Sequence, residues 1–236
     1  TIATAQIADD AVTLAKMAPG TDGNVISYDA SGNPVAVATG SAGQVLTSAG
    51  AGAPPTFAAA GGGAYNLLST TTISGAVSTV DITSNIDSTY RDYMFILSDI
   101  HTSDDNVYLK ANVFSSNGSP DASSGVYNYA GVGYRSDNAG LNMSDASHDS
   151  AQITLWTQGN ESFEAGNLVL YMFNPSGTTH SKSFMSTSIQ QTIAGRTAVG
   201  TNGFLYRNGT VAVTGILFMP SSGYFDTGVI KLYGIS

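Results

Sequence analysis

The sequence predicts a mainly β protein, and three observations predict it. Apolar and polar residues alternate with a period of two in many short runs after Tyr65, and turn-forming clusters separate those runs. Only 11% of the residues are charged, because Gly, Ser, Thr, Asn and Ala take their places. A 20-residue unit also occurs twice near the N-terminus. We therefore expect a short N-terminal helix, two tandem β-rich units, and a C-terminal antiparallel β-sandwich or jelly roll.

Charge and composition exclude several classes of partner. The chain has 17 acidic and 8 basic residues, a net charge of −9, and no basic run, so we expect neither nucleic-acid binding nor attraction to an anionic membrane. It has no cysteine, which excludes disulfides and thiolate metal sites. No apolar run approaches about 18 residues and no signal-peptide pattern is present, so we expect no membrane insertion.

Residues 1–19 have a weak helical pattern. Small or apolar residues fall on one stripe of a helix, at Ile7, Ala11, Leu14 and Ala18. Pro19 and Gly20 then end the pattern. Because the stripe is narrow, it suits a short bundle of several chains better than docking on a large core.

Residues 20–57 contain the repeat. When Gly20 is aligned with Gly40, G-T-D-G-N-V-I-S matches G-S-A-G-Q-V-L-T, and both copies continue to Gly-x-Pro. The consensus is G-[ST]-x-G-[NQ]-V-[IL]-[ST]-x(4)-G-x-P. Each unit predicts one short strand, a turn and a second extended piece. A two-stranded hairpin is marginal by itself, so the apolar pairs Val25–Ile26 and Val45–Leu46 need partners from elsewhere. Residues 58–64, AAAGGGA, are typical of a hinge.

The sequence of this repeat resembles the repeats of bacteriophage tail-fibre and other fibrous virion proteins. Such repeats usually form a slender trimeric stalk between an N-terminal attachment segment and a C-terminal globular head. The resemblance implies a homotrimer in which residues 1–19 contact other virion structural proteins. A flexible Gly/Ala/Ser linker is the alternative that composition alone allows.

Residues 65–236 predict the head domain. The clearest alternation places Val107, Leu109, Ala111 and Val113 on one face of a strand. Similar runs occur around Tyr93–Leu97, Leu168–Met172 and Val229–Ile235. Further strands are expected near 77–83, 126–135, 151–157, 182–190, 197–207 and 211–219. No convincing helical periodicity interrupts them, so a single β-sandwich domain is expected.

Candidate chemical groups do not form an enzyme signature. Two loops are rich in Asp and His, at 99–105 and 145–149; they are either solvated turns or oxygen-rich cation sites, and their spacing matches no known metal motif. Glu161 and Glu164 are too close in sequence to face each other across a sugar ring. We expect no catalytic residues, no cofactor and no metal.

Aromatic residues mark the most plausible ligand site. Tyr127, Tyr129 and Tyr134 lie in VYNYAGVGYRS, and flat rings with nearby amides or guanidinium groups are typical of sugar-binding surfaces. The candidate ligand residues are Tyr127, Tyr129, Tyr134, Arg135, Asn138, Asn142 and Asp145. The alternative is that these tyrosines fill the core or a seam between chains. Tyr134 is on the opposite strand face from Tyr127 and Tyr129, so at least one set is structural.

These observations predict a protein of the virion, on the phage tail or the capsid surface. The first function that we expect is attachment to the host cell, with the head contacting a surface glycan or protein. The alternative is a capsid-bound head fibre or decoration protein with a structural role. A glycan-cleaving enzyme is the third interpretation and has the least support.

Overall fold

The computed structural model describes residues 20–60, 63–115, 118–137, 139–193, 195–208 and 210–236. These residues form strands and turns and contain no helix. The helix expected at 1–19 lies outside the described residues. The chain divides into two compact units between Gly61 and Gly62, which we call the hairpin unit and the sandwich unit. The predicted mainly β class is confirmed.

The hairpin unit consists of two antiparallel hairpins, one for each copy of the repeat. Its strands are β1 (Val25–Tyr28), β2 (Pro34–Val37), β3 (Gln44–Thr47) and β4 (Thr56–Ala59). In the first hairpin Ile26 lies opposite Ala36, and in the second Leu46 lies opposite Phe57. The two registers differ by one position of the 20-residue period, so the second hairpin is not a strict copy of the first.

A shared turn explains the first half of the consensus. The Asn24 N–H donates to the Thr21 carbonyl at 3.2 Å, and the Gln44 N–H donates to the Ser41 carbonyl at 3.1 Å. Between them, Gly23 and Gly43 have φ angles of +78° and +86°. That region is costly for residues with a Cβ atom, so the turn favours glycine at this position.

The hairpins bury little of their apolar surface. Ile26 is 59% exposed and Leu46 is 47% exposed, while Val25 and Val45 are also on the surface. Val37 is the buried apolar residue of the described hairpin strands. The predicted need of these strands for further partners is therefore not met among the described residues of one chain.

The sandwich unit contains an eight-stranded sheet packed against a four-stranded sheet. The order of the first sheet is β10-β9-β14-β13-β12-β7-β16-β5, that of the second is β11-β8-β15-β6, and every paired neighbour is antiparallel. The strands are β5 (Tyr65–Val77), β6 (Val80–Ile82), β7 (Asp92–Thr102), β8 (Leu109–Ser115), β9 (Tyr127–Arg135), β10 (Gly140–His148), β11 (Ala151–Gln152), β12 (Gly166–Phe173), β13 (Lys182–Thr192), β14 (Arg196–Tyr206), β15 (Val213–Pro220) and β16 (Phe225–Ile235).

The core lies between these sheets, where the predicted alternation places it. Leu109, Ala111 and Val113 of β8 are all buried. Phe95 of the larger sheet meets Phe218 of the smaller one edge to face, with ring centroids 5.5 Å apart. These contacts remove large apolar side chains from water and are the main stabilising term of the unit.

One predicted strand is different in the structure. Within 151–157 only Ala151–Gln152 is a strand, and the following residues lie over the inner side of β13 and β14. Their carbonyl groups are satisfied by side chains of the sheet: the Ser186 hydroxyl donates to the Ile153 carbonyl at 2.7 Å, and the Gln190 amide donates to the Trp156 carbonyl. Polar residues of β13 therefore point inward.

The same segment approaches the sheet closely at Leu155. This side chain is fully buried. A Cβ atom at Gly200 of β14 would lie 2.7 Å from the Leu155 Cβ, which is much closer than van der Waals contact. Glycine at 200 therefore makes room for Leu155.

Candidate functional site

The candidate ligand residues lie at one edge of the eight-stranded sheet. β9 and β10 form that edge, whereas β5, which begins the sandwich unit at Tyr65, forms the opposite edge. At about 4.8 Å for each of the strand spacings, the two edges are about 34 Å apart along the sheet. The segment 137–149 is mostly strand β10 rather than loop, with a bulge between Asp145 and His148.

Tyr127 belongs to the core. Its side chain is fully buried, its hydroxyl donates to the Asp121 carbonyl at 2.9 Å, and it accepts from the Val113 N–H at 2.9 Å. Burial raises the pKa of Tyr127. A ligand has no access to this ring, so its contribution is structural.

Asp121 is the acceptor of a buried polar network beside Tyr127. The Tyr206 hydroxyl and the Asn208 amide both donate to its Oδ2 at 2.6 Å, and the Ser123 N–H donates to its Oδ1 at 3.0 Å. Burial by itself would raise the pKa of Asp121, but these hydrogen bonds outweigh it and lower the pKa to about 2. The carboxylate is therefore charged at neutral pH and fixed by neutral donors.

Tyr129 and Asp145 lie near each other on the same side of the β9–β10 hairpin. The Tyr129 ring packs against the His148 ring with centroids 4.9 Å apart. Asp145 Oδ2 lies 2.9 Å from His148 Nε2. The pKa of Asp145 is lowered by a hydrogen bond from the Ala146 N–H and by His148. His148 thus links these two candidates.

Arg135 is already occupied by protein groups. Its guanidinium lies 4.8 Å from the centroid of the Trp156 ring and makes two hydrogen bonds to Asp137, at 2.9 and 2.8 Å. Arg196 Nε lies 3.4 Å from the same carboxylate. The Arg135 guanidinium lowers the pKa of Asp137 to about 2. Since Asp137 balances its charge, Arg135 is a weak candidate for binding an anion.

Tyr134 and Asn142 are on the outward side of the sheet. Tyr134 is 64% exposed, and one side of its ring lies against Gly140, where an added Cβ would be 3.4 Å from Tyr134 Cε1. Asn142 is opposite Val132 and therefore diagonal to Tyr134, at about 7–8 Å in such a pair. Asn138 lies outside the described residues.

A shallow groove of about 270 Å³ runs beside Tyr134. Its other side chains come from β9, β13 and β14, namely Val132, Thr187, Val199 and Thr201. The Thr187 and Thr201 hydroxyls lie 3.3 Å apart. The groove therefore offers one flat aromatic ring, an apolar floor and neutral hydroxyls, which suits an uncharged ligand with both apolar and hydroxyl surfaces.

The structure separates the six candidates that it describes into two groups. Tyr134 and Asn142 come together on the outward side, while Tyr127, Tyr129, Arg135 and Asp145 are on the other side of the hairpin. Sequence reasoning missed the groove residues of β13 and β14, because they are about 50 to 70 residues away from Tyr134 along the chain. The exposed alternate positions of β13 and β14 are the signal that points to them.

His101, from the first of the two loops rich in Asp and His, and Glu164 both have partners within the protein. His101 Nδ1 lies 3.0 Å from Asp226 Oδ2, and the buried Glu164 accepts from the Glu161 N–H at 3.1 Å and the Gly195 N–H at 3.3 Å. Within the described ranges no group of three or more His, Asp or Glu side chains is arranged to hold a metal ion.

In the part of the chain that the structure describes, no helix has the length and hydropathy needed to cross a bilayer. Comparison with known proteins finds no matching family model, no similar curated protein and no similar solved structure.

Proposed function

We propose that this chain is a bacteriophage virion fibre protein that works as a homotrimer and attaches the particle to the host cell surface through its sandwich unit. One observation carries the proposal. Two tandem hairpins share the same glycine turn and leave their apolar side chains exposed. A repeat of this kind is suited to winding around identical chains, which is how a slender stalk is built.

Trimer formation supplies what the hairpins lack. Val25, Ile26, Val45 and Leu46 are exposed in one chain, and isolated hairpins are marginal in water. Identical chains around a common axis would cover these side chains with equivalent ones. Three copies also present three contact sites at once, so weak binding at each site is multiplied by effective concentration.

The groove beside Tyr134 is the surface that we assign to the host. It lies on β9, β14 and β13, in the half of the sheet opposite to the strand β5. Its ring and threonine hydroxyls suit a neutral glycan or an uncharged protein loop. A chain with a net charge of −9 is not suited to anionic ligands.

Assembly is tested by light scattering on the full chain. We expect a mass of about 73 kDa, three times the 24.2 kDa of one chain. The double change Val45→Asp and Leu46→Asp should lower this mass, because carboxylates would be buried between chains. Ser48→Asp, in the exposed loop after β3, is the matched control. A wild-type mass of one chain at micromolar concentration would contradict the trimer.

Attachment is tested on a glycan array and by adsorption to host cells. Wild-type protein should be retained, Tyr134→Ala should lose about tenfold or more in binding, and Tyr224→Ala, another exposed tyrosine, should bind as wild type. Antibody labelling of virions in the electron microscope then locates the chain. If wild-type protein binds to no glycan and to no host cell, and the antibody labels the capsid, the decoration role is correct.

A further inference from the structure

The eight-stranded sheet ends in two edge strands whose outer sides are not paired. β5 and β10 are the outermost strands of this sheet, and no other described strand pairs with their outer sides. The outer side of an edge strand presents a row of backbone N–H and C=O groups without ladder partners. The chemistry that recognises such a row is another extended backbone, which adds to the sheet as a further strand.

The four edge strands of the sandwich unit differ in how they are protected against pairing. In the four-stranded sheet the edge strands β11 and β6 are only two and three residues long. β10 has a bulge after Asp145, which is itself an inward-pointing charge. Short strands, bulges and inward charges are devices that prevent unwanted pairing. β5, by contrast, is 13 residues long and contains neither a charged residue nor a proline.

Bulges limit the regular part of both long edges to six residues. In β5 the register relative to β16 shifts between residues 67 and 69 and again between 74 and 77. The regular part of β5 is therefore 69–74, and that of β10 is 140–145. We call these the two edge stretches. Six residues is an ordinary strand length, so each stretch is long enough to pair with a strand.

The two edge stretches run in opposite directions and lie at the same level along the strands. Every strand is antiparallel to its neighbour, so the first and the eighth strands are also antiparallel. Rows of Cα partners cross all eight strands without a break and join Thr71 to Leu141, Thr70 to Asn142 and Ser69 to Met143. A rotation about an axis along the strands keeps both direction and level. It therefore brings β5 of one copy beside β10 of the next copy in antiparallel orientation.

We propose that β5 of one copy pairs with β10 of the next copy, with Thr71 opposite Leu141, so that the eight-stranded sheets of the trimer form a closed ring. This pairing rests on the proposed function for the number of copies, but the edges that meet follow from the sheet itself. A contact between two different surfaces closes into a ring when the rotation closes. The ring covers both free edges of every copy, whereas pairing of β5 with another β5 joins two chains and leaves β10 open.

The side chains beside the two edges suit this pairing. On the outward side, Thr70 of one copy would lie beside Asn142 of the next, and both are exposed and neutral in one chain. On the inward side, Thr71 and Leu141 are half-buried in one chain and would gain cover. The Tyr134 groove lies on the outward surface of β9, β13 and β14, so the ring leaves it open to a ligand.

Disulfide cross-linking tests the register, because the chain has no cysteine of its own. Thr70→Cys combined with Asn142→Cys places thiols on opposite residues of neighbouring copies, where Cα atoms are about 4.5–5.5 Å apart and a disulfide can form. Mild oxidation of the full chain should give a covalent trimer on a denaturing gel. Ser74→Cys combined with Asn142→Cys is the matched control. Its thiols would be about 13 Å apart along the strands, so at least about tenfold less covalent trimer is expected.

Amide hydrogen exchange, resolved to single residues, tests the same pairing in the wild-type protein. In a free antiparallel edge strand every second N–H has no partner and exchanges quickly, whereas in a covered strand every N–H is bonded. We expect both edge stretches to exchange as slowly as β12, which has a neighbour on each side. Alternating fast and slow amides in either edge stretch of a protein of trimer mass would overturn the pairing.

The mass of the same samples distinguishes failure of this pairing from failure of the proposed function. A protein of trimer mass that gives no covalent trimer overturns the ring and leaves the trimer to the hairpins. A covalent dimer from Thr70→Cys alone means that β5 pairs with another β5, and it overturns pairing with β10. A wild-type protein of monomer mass with alternating exchange in both edge stretches overturns the ring and the trimer together.

Discussion

The hairpin unit and the sandwich unit are built from a similar set of residues, yet only one of them has a core. The hairpin strands are four residues long and pair only two by two. The sandwich strands reach 13 residues and stack in two layers. The comparison shows that strand length and a second layer, rather than apolar content, decide whether one chain can bury its own side chains.

The two units therefore differ in what an apolar residue does. Leu170 on the inner side of β12 is fully buried, and Leu46 on β3 is 47% exposed. The first stabilises its own chain. The second can stabilise only an assembly, because it gains little burial within the described part of its own unit.

The largest expected effect tests this difference with one type of substitution. Leu170→Ala should lower the free energy of unfolding by about 2–5 kcal/mol, because it removes a buried side chain and leaves a cavity. Leu46→Ala should cost less than about 1 kcal/mol in dilute protein that is monomeric. Urea denaturation followed by tryptophan fluorescence measures the effect of each change on the sandwich unit, since Trp156 is the single tryptophan and lies in that unit.

Two other results of these measurements would contradict the difference between the hairpin unit and the sandwich unit. If Leu46→Ala is as destabilising as Leu170→Ala, and the loss depends on protein concentration, then the folding of the sandwich unit is coupled to assembly of the hairpins. If Leu170→Ala is nearly neutral, the core between the two sheets is not the source of stability of the sandwich unit.

Much of this contrast was predictable from the sequence. The 20-residue repeat with Gly23 and Gly43 predicts two turns and two hairpins, and the alternation around Leu109 and Leu168 predicts buried strands. These are local signals, because a positive φ favours glycine and a two-residue period follows from the pleat.

What could not be predicted depends on contacts distant in sequence. The inward polar residues of β13 make sense only because residues after Gln152 lie over them and need hydrogen-bond donors. For the same reason the Tyr134 groove was missed, since β14 and β13 complete it. Alternation gives the two sides of a strand, but it does not say which side the rest of the chain covers.

A second prediction compares an aspartate from each unit. Asp29, in the turn of the first hairpin, has its pKa lowered by hydrogen bonds from Asn33, and it is only half-buried. Asp121 is buried, with a pKa of about 2 against an ordinary value of 3.8. Of these two aspartates, only Asp121 is expected to make the stability of its unit measurably dependent on acid.

The direction in which acid changes the stability of the sandwich unit follows from the lowered pKa of Asp121. Its contribution to stability, about 2 kcal/mol, is fully present above pH 4 and is lost as the pH falls from about 4 to about 2. Tyr206→Phe removes one donor to Oδ2, so it should cost about 1–3 kcal/mol at neutral pH and make the acid loss smaller. Urea denaturation at pH 7, 4 and 2.5 measures this, with Tyr134→Phe as the control at an exposed tyrosine. An unchanged pH profile in Tyr206→Phe would contradict the assignment.

The smallest expected effect is in the hairpin unit, at the turn that the repeat specifies. Gly43 has a φ of +86° and open space where a Cβ would be, so Gly43→Ala is strained only through its backbone. The cost should be about 1 kcal/mol, and Gly43→Asn should cost less because asparagine tolerates this region. Gly20→Ala is the control, since Gly20 has no positive φ and also has open space.

Amide hydrogen exchange detects so local a change. The Gln44 N–H is bonded to the Ser41 carbonyl across this turn, so exchange of the peptide containing Gln44 should be about fivefold faster in Gly43→Ala, whereas peptides of the sandwich unit should not change. Equal acceleration in Gly20→Ala would mean that the turn is not held by its glycine. Acceleration that extends to the peptide containing Leu170 would mean that the hairpin turn and the core open together, and the difference between the two units would then be one of degree.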